Sequence, residues 1–161
     1  YESWNKKIFD KEINTKVNFV QDNHSSSIKG VLRGLHYQTK PNSQGKLVRC
    51  PYGEIYDIAV DLRINSKSFG MWTGVYLNSE HMNQLWIPEG FAHGFLTISN
   101  VAEVIYKTTD YWNKESEKSI KWNDERLSIY WPLEKIKKSF PLLSIKDAKS
   151  LSFEESFKYF N

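Results

Sequence analysis

Short runs of β-branched and aromatic residues, each closed by a turn signal and recurring about every ten residues, govern what this chain can fold into. The runs are Val17–Val20, Val31–Tyr37, Lys46–Cys50, Glu54–Leu62, Trp72–Leu77, Gln84–Ile87, Gly94–Ile98 and Ala102–Thr109. Turn signals at Asn23 through Ser27, Lys40-Pro41-Asn42, Pro51-Tyr52-Gly53, Asn65-Ser66, Asn78-Ser79, Pro88-Glu89-Gly90 and Ser99-Asn100 separate them. Within Glu54–Leu62, Tyr56, Ile58, Val60 and Leu62 share one face, and Asp57, Ala59 and Asp61 the other. Strands at this cadence predict an all-β sandwich, jelly roll or barrel. No Gly-rich strand-to-helix turn supports a Rossmann or P-loop reading. With 161 residues the chain suits one domain with a real core.

The texture changes after Tyr111. Residues 1–111 read as the β-barrel, and residues 112–161 as a charged excursion and helical tail. Lys135, Lys137 and Lys138 read as a solvated face. Ser152 followed by Glu155 is a capping-box pattern, with Phe153, Phe157 and Phe160 on one helical face. A net charge of +3 is too small for a nucleic-acid footprint. No apolar run approaches about 18 residues, so no membrane partner is expected. One cysteine, Cys50, excludes an internal disulfide framework and a thiolate metal cluster. A cytoplasmic domain is the expectation.

Four histidines are the candidates for chemistry. His81 lies in a polar turn, and His24 in a loop-like stretch. His36 comes three residues after Arg33, so a regular strand would point them to opposite faces. Gly34 between them can host a bulge that brings both to one cavity, although a half-buried strand histidine is the plainer reading. His93 closes Pro88-Glu89-Gly90-Phe91-Ala92-His93, a P-x-G-x-x-H pattern that resembles the second half of the cupin signature. The first half would supply two histidines and a glutamate, where this chain has only His36, so a metal-free cupin is expected.

The resemblance narrows to the dTDP-4-dehydrorhamnose 3,5-epimerase family. It rests on Phe19-Val20-Gln21-Asp22-Asn23-His24-Ser25, on Val31-Leu32-Arg33-Gly34-Leu35-His36-Tyr37-Gln38 and on Gln44-Gly45-Lys46-Leu47-Val48-Arg49-Cys50. Gln84 through Phe95, Ile105-Tyr106-Lys107, Trp122-Asn123-Asp124-Glu125 and Leu143-Ser144-Ile145-Lys146-Asp147-Ala148 continue it in the family's order. It implies a cupin-type jelly-roll β-barrel with a short helical C-terminal region, no cofactor, and a homodimer acting on a dTDP-linked 4-keto-6-deoxy sugar.

By that resemblance His36 is the base, partnered by Asp147; Tyr106 is the acid; and Lys46 lies near the keto oxygen. Arg33 matches the phosphate-binding position. Glu2, Gln21, Asn23, His93, Glu117 and Lys146 match other substrate contacts, Asp57 is expected to bond His93, and Tyr111 to stack on thymine, ahead of Trp112. The family's N-terminal segment, which carries nucleotide-holding residues and pairs with the partner subunit, is expected to lie before Tyr1. The stretch from Pro132 to Pro141 is longer than the family pattern. A mono-epimerase at one carbon, a metal-dependent cupin and a sugar-binding module without turnover are the alternatives.

Overall fold

Backbone pairing, more than apolar content, decides where the first strand lies. The computed structural model describes residues 1–160. In it Asn23 through Ser27, expected as a turn, belong to strand β1 (Gln21–Ile28), and Val17–Val20, expected as a strand, is not one. β1 pairs without a break along β8 (Val101–Thr108), from Gln21 opposite Thr108 to Ile28 opposite Val101. Its alternation is polar on both faces, because one face meets solvent and the other lines a cavity.

The other strands are β2 (Leu32–Gln38), β3 (Lys46–Tyr52), β4 (Glu54–Asp61), β5 (Trp72–Asn78), β6 (Gln84–Ile87), β7 (Phe91–Thr97) and β9 (Glu117–Ser119). They form a four-stranded sheet, β1-β8-β3-β6, and a five-stranded sheet, β5-β4-β7-β2-β9, with antiparallel pairing between strands. This is the expected all-β, cupin-like jelly roll. β9 was hidden in the charged excursion: it adds an edge to β2, so the segment after Tyr111 completes the barrel.

β4 shows why the two faces of a strand matter. Ile55 and Ala59 join Val48, Cys50, Leu77, Phe95 and Val104 in a core between the sheets. Tyr56, Ile58, Val60 and Leu62 face the other way, into a core closed by Ile120, Leu127, Trp131, Ile136, Phe153 and Phe160. The C-terminal segment is therefore the outer layer of the five-stranded sheet. Burying such apolar side chains supplies roughly 1.5–3 kcal/mol each.

The helices are short. α1 (Lys6–Glu12), which the strand cadence did not predict, is capped by the Asn5 side chain. α2 (Leu133–Ile136) occupies the stretch between Pro132 and Pro141, and α3 (Ile145–Ala148) comes next. At the tail, Ser152 and Glu155 make the expected reciprocal cap, with the Glu155 carboxylate accepting from the Ser152 N–H at 2.8 Å. The chain beyond this cap is not the α-helix expected but a turn and a 3-10 helix over Phe157–Tyr159. Phe153, Phe157 and Phe160 pack on one another and on Phe69, and these ring contacts hold the tail without a longer helix. Among the described residues no helix is long and apolar enough to cross a membrane.

At Gly34 the backbone takes φ +115°, and the β2–β7 register shifts between Arg33 and His36. A Cβ there would sit 2.6 Å from both Gly94 Cα and the His93 carbonyl oxygen. Gly30 also has positive φ, +85°, but its nearest contact would be 3.5 Å away. Gly30→Ala should therefore cost only the left-handed backbone, about 1–2 kcal/mol. Gly34→Ala should cost about 3 kcal/mol or more, because two backbones must also separate. Urea unfolding of the two variants measures the difference, and equal costs would contradict it.

Candidate functional site

Between the two sheets lies a cavity of about 250 Å³. β1 gives it Gln21, Asn23 and Ser25, alternate residues on the inward face. β2 adds Arg33 and His36, both brought to the cavity across the register shift at Gly34, as the bulge reading anticipated. Lys46 from β3, His93 from β7, Tyr106 from β8 and Glu117 from β9 add to its polar lining, with Gln38 and Gln44 beside them. His36 thus stands on the five-stranded sheet and Tyr106 on the four-stranded one, on opposed walls of one cavity.

His36 Nε2 lies 2.6 Å from Asp147 Oδ1. A carboxylate only accepts, so the ring donates through Nε2 and presents Nδ1 as its basic atom. Asp147 is 4% exposed. Burial raises its carboxyl pKa, but the His36 contact, the Ser144 hydroxyl and the Gly34 N–H outweigh burial and hold it below the ordinary range.

Lys46 is the other buried charge, 7% exposed, its Nζ 3.5 Å from the His36 carbonyl oxygen. Burial pulls its pKa down to about 8, against the opposing pull of Glu117 and Asp57. Glu117 pairs with Lys146 at 2.6 Å. Burial pushes the Glu117 carboxyl up, but Lys146, Trp112 and His36 hold it below its usual value. For Tyr106, burial and then Glu117 raise the phenol's pKa, and Arg33 only partly offsets them. The phenol is therefore protonated throughout the neutral range, with no net help from a nearby cation. His93 Nε2 meets Asp57 Oδ1 at 2.7 Å, forming the expected pair.

Most of the residues singled out in the sequence converge here. Asp147, Asp57 and Lys146 stand behind the lining, each bonded to a residue that forms it. Glu2 does not reach the cavity; it accepts a hydrogen bond from Asn5 at 3.2 Å, beside α1. Tyr111 does not line it either and is 63% exposed, whereas Trp112 does line it. The turn around Trp112 is tied down on both sides. Gln21 accepts from the Trp112 N–H at 3.1 Å, and Gln38 bonds the Tyr111 carbonyl at 3.2 Å and the Asn113 N–H at 2.7 Å. Gln38, Gln44 and Ser25 were missed as lining residues; for Ser25 the signal was present, as the period of two after Gln21 and Asn23. Among the described residues no three His, Cys, Asp or Glu side chains group closely enough to hold a metal ion.

The family model described as dTDP-4-dehydrorhamnose 3,5-epimerase matches residues 1–155. A dTDP-4-dehydrorhamnose 3,5-epimerase of Salmonella typhimurium is 56% identical over 148 residues, spanning 92% of this chain and 79% of that protein. The crystal structure of the dTDP-6-deoxy-D-glucose-3,5-epimerase of Legionella pneumophila, in complex with dTDP-4-keto-L-rhamnose, superposes with a TM-score of 0.90. It has 48% identity and covers 96% of this chain and 79% of that one. A 3′-monoepimerase from Streptomyces bikiniensis in complex with dTDP-quinovose has a TM-score of 0.87 at 28% identity, covering 98% of this chain and 77% of its own.

The burial of Lys46 has a pH signature. In the folded chain its ammonium releases its proton near pH 8, in place of the ordinary 10.5. Between those values the unfolded chain binds the extra proton, so this group makes stability rise with pH across that window. In a ¹³C-lysine-labelled sample, one side-chain resonance absent from Lys46→Arg should titrate near pH 8. A Lys46 midpoint in the range of the surface lysines would contradict this assignment.

Proposed function

The chain belongs to the dTDP-4-dehydrorhamnose 3,5-epimerase family, and on that premise we propose that it inverts C3 and C5 of dTDP-4-dehydro-6-deoxy-D-glucose to give dTDP-4-dehydro-L-rhamnose. Both carbons flank the C4 ketone, so each C–H is acidified by the carbonyl. Removal of the proton from one face leaves an enolate, and return of a proton to the other face inverts the centre. The observation that carries this reading is the placement of His36 and Tyr106 on opposed walls of the cavity.

In this reading His36 takes the carbon-bound proton at Nδ1, while Asp147 holds the ring and balances the imidazolium. Lys46 offers its ammonium to the oxygen that gains charge as the enolate forms. Tyr106, kept protonated by its surroundings, gives its hydroxyl proton to the opposite face. It regains a proton from solvent as His36 loses one, so the enzyme returns to its starting state after each inversion. His93, oriented by Asp57, and Glu117, braced by Lys146, bound the space in which the sugar turns. Arg33, its Nε donating to Ser27 Oγ at 3.1 Å, is set to receive the diphosphate, and Gln21 and Asn23 to contact the nucleotide. Trp112 takes the base-covering role first expected of Tyr111. The expected homodimer and cytoplasmic location remain part of this proposal, as does a role for Glu2. A one-chain mass by light scattering would remove the dimer.

The runner-up, epimerisation at one carbon, shares the fold, as the Streptomyces bikiniensis structure shows. Product formed in deuterated water separates the two. The proposal expects deuterium at both C3 and C5 and inversion at both; label at one carbon alone would favour the runner-up. Tyr106→Phe should slow inversion by about 10²–10⁴-fold while proton exchange at the sugar falls less. An equal fall in exchange and inversion would contradict the assignment of Tyr106 as the acid.

A further inference from the structure

Asp147 reaches His36 from α3, a single helical turn, and a helix this short holds a side chain only as well as its own cap allows. Ser144 is that cap. Its Oγ accepts from the Asp147 N–H at 3.0 Å, the usual bond of an N-cap to the third helical residue. The same hydroxyl then has its hydrogen free, and Oγ lies 2.7 Å from Asp147 Oδ2. A carboxylate has no proton to give, so Ser144 is the donor. In an ordinary capping box the acid at the third position turns back to the cap's own N–H. Here it turns outward. Oδ2 is held by Ser144, and Oδ1 faces His36 at 2.6 Å and the Gly34 N–H at 3.4 Å.

We infer that Ser144 is a positioning residue for proton abstraction, acting through Asp147 and never touching the substrate. By occupying Oδ2 it keeps the carboxylate from rotating and reserves Oδ1 for the imidazole. It also stabilises the carboxylate as an anion. The backbone just before it is already fixed, with the Leu142 N–H donating to the Gly30 carbonyl and the Leu142 carbonyl accepting from the Leu32 N–H. Ser144 completes the path from that anchor to the base. The inference rests on the proposed role of His36.

Three variants in the full chain test it: Ser144→Ala, Ser144→Gly and Ser144→Thr, assayed on dTDP-4-dehydro-6-deoxy-D-glucose. Glycine caps a helix nearly as well as serine but has no hydroxyl to donate, so it separates the two roles even if the alanine variant is poorly folded. Ser144→Gly should lose about 10- to 100-fold in kcat, the scale of a catalytic group misplaced by a fraction of an ångström to an ångström, with KM within about twofold. The acid limb of its pH–kcat profile should move to higher pH, because the carboxylate loses a donor that favours its charged form. Ser144→Thr, which keeps the hydroxyl, should recover most of the rate. A Ser144→Gly enzyme with wild-type kcat and pH profile, or one changed only in KM, would overturn the inference. His36→Asn is the control: if it retained turnover, the role of His36 itself would fail, a result distinct from an active Ser144→Gly beside an inactive His36→Asn.

Discussion

The contact between His36 and Asp147 joins residues 111 positions apart, and much of the architecture serves to make it. A buried carboxylate is costly unless donors surround it. Here it has the imidazole, the Ser144 hydroxyl and the Gly34 amide. Bringing those donors together requires β2 to come close enough to β7 that only glycine fits at position 34. It also requires the C-terminal segment to return across the five-stranded sheet. That return is stabilised by a second apolar core, in which Trp131, Ile136, Phe153 and Phe160 pack on the outward side chains of β4. The outer layer thus serves both stability and the site.

A similar division of space explains how polar groups survive inside a small barrel. Val48, Ile55, Leu77, Phe95 and Val104 fill one end of the region between the sheets, and the cavity holds the other. Charges in the cavity occur mostly with partners, His93 with Asp57 and Glu117 with Lys146. Lys46 has no carboxylate within ion-pair distance among the described residues, so burial outweighs the more distant Glu117 and Asp57 and makes its ammonium easy to deprotonate. A cation poorly served by the protein is well placed to be served by charge that appears only during the reaction, which is what enolate stabilisation asks for.

The strand cadence and the alternation in Glu54–Leu62 made the barrel legible, because apolar side chains facing a core leave a period of two. The same rule misread β1. Asn23 and Ser25 look like part of a turn because their inward face meets a polar cavity instead of an apolar core, and the pairing with β8 that makes them a strand is a long-range fact. The odd spacing of Arg33 and His36 around Gly34 admitted the register shift seen there, but beside the plainer reading of a half-buried strand histidine, because spacing alone does not decide between them. Asp147 was not readable from spacing; only the family resemblance pointed to it, since local sequence does not encode a return over more than a hundred residues. Tyr111 and Trp112 are adjacent aromatics, and which one faces the cavity depends on the Gln21 and Gln38 hydrogen bonds that set the turn. The tail showed its cap in Ser152 and Glu155, but the packing of its phenylalanines, not its helical pattern, fixed its shape.

If His36 and Asp147 act as one dyad, proton removal at both sugar carbons depends on it. The most direct test is deuterium exchange at C3 and C5 of dTDP-4-dehydro-6-deoxy-D-glucose, monitored by NMR with the Asp147→Asn enzyme. Asparagine keeps the size of the side chain but withdraws the charge that balances the imidazolium. Exchange at both carbons should then fall together, by about 10²-fold or more. Exchange continuing at the wild-type rate at either carbon would contradict a shared dyad.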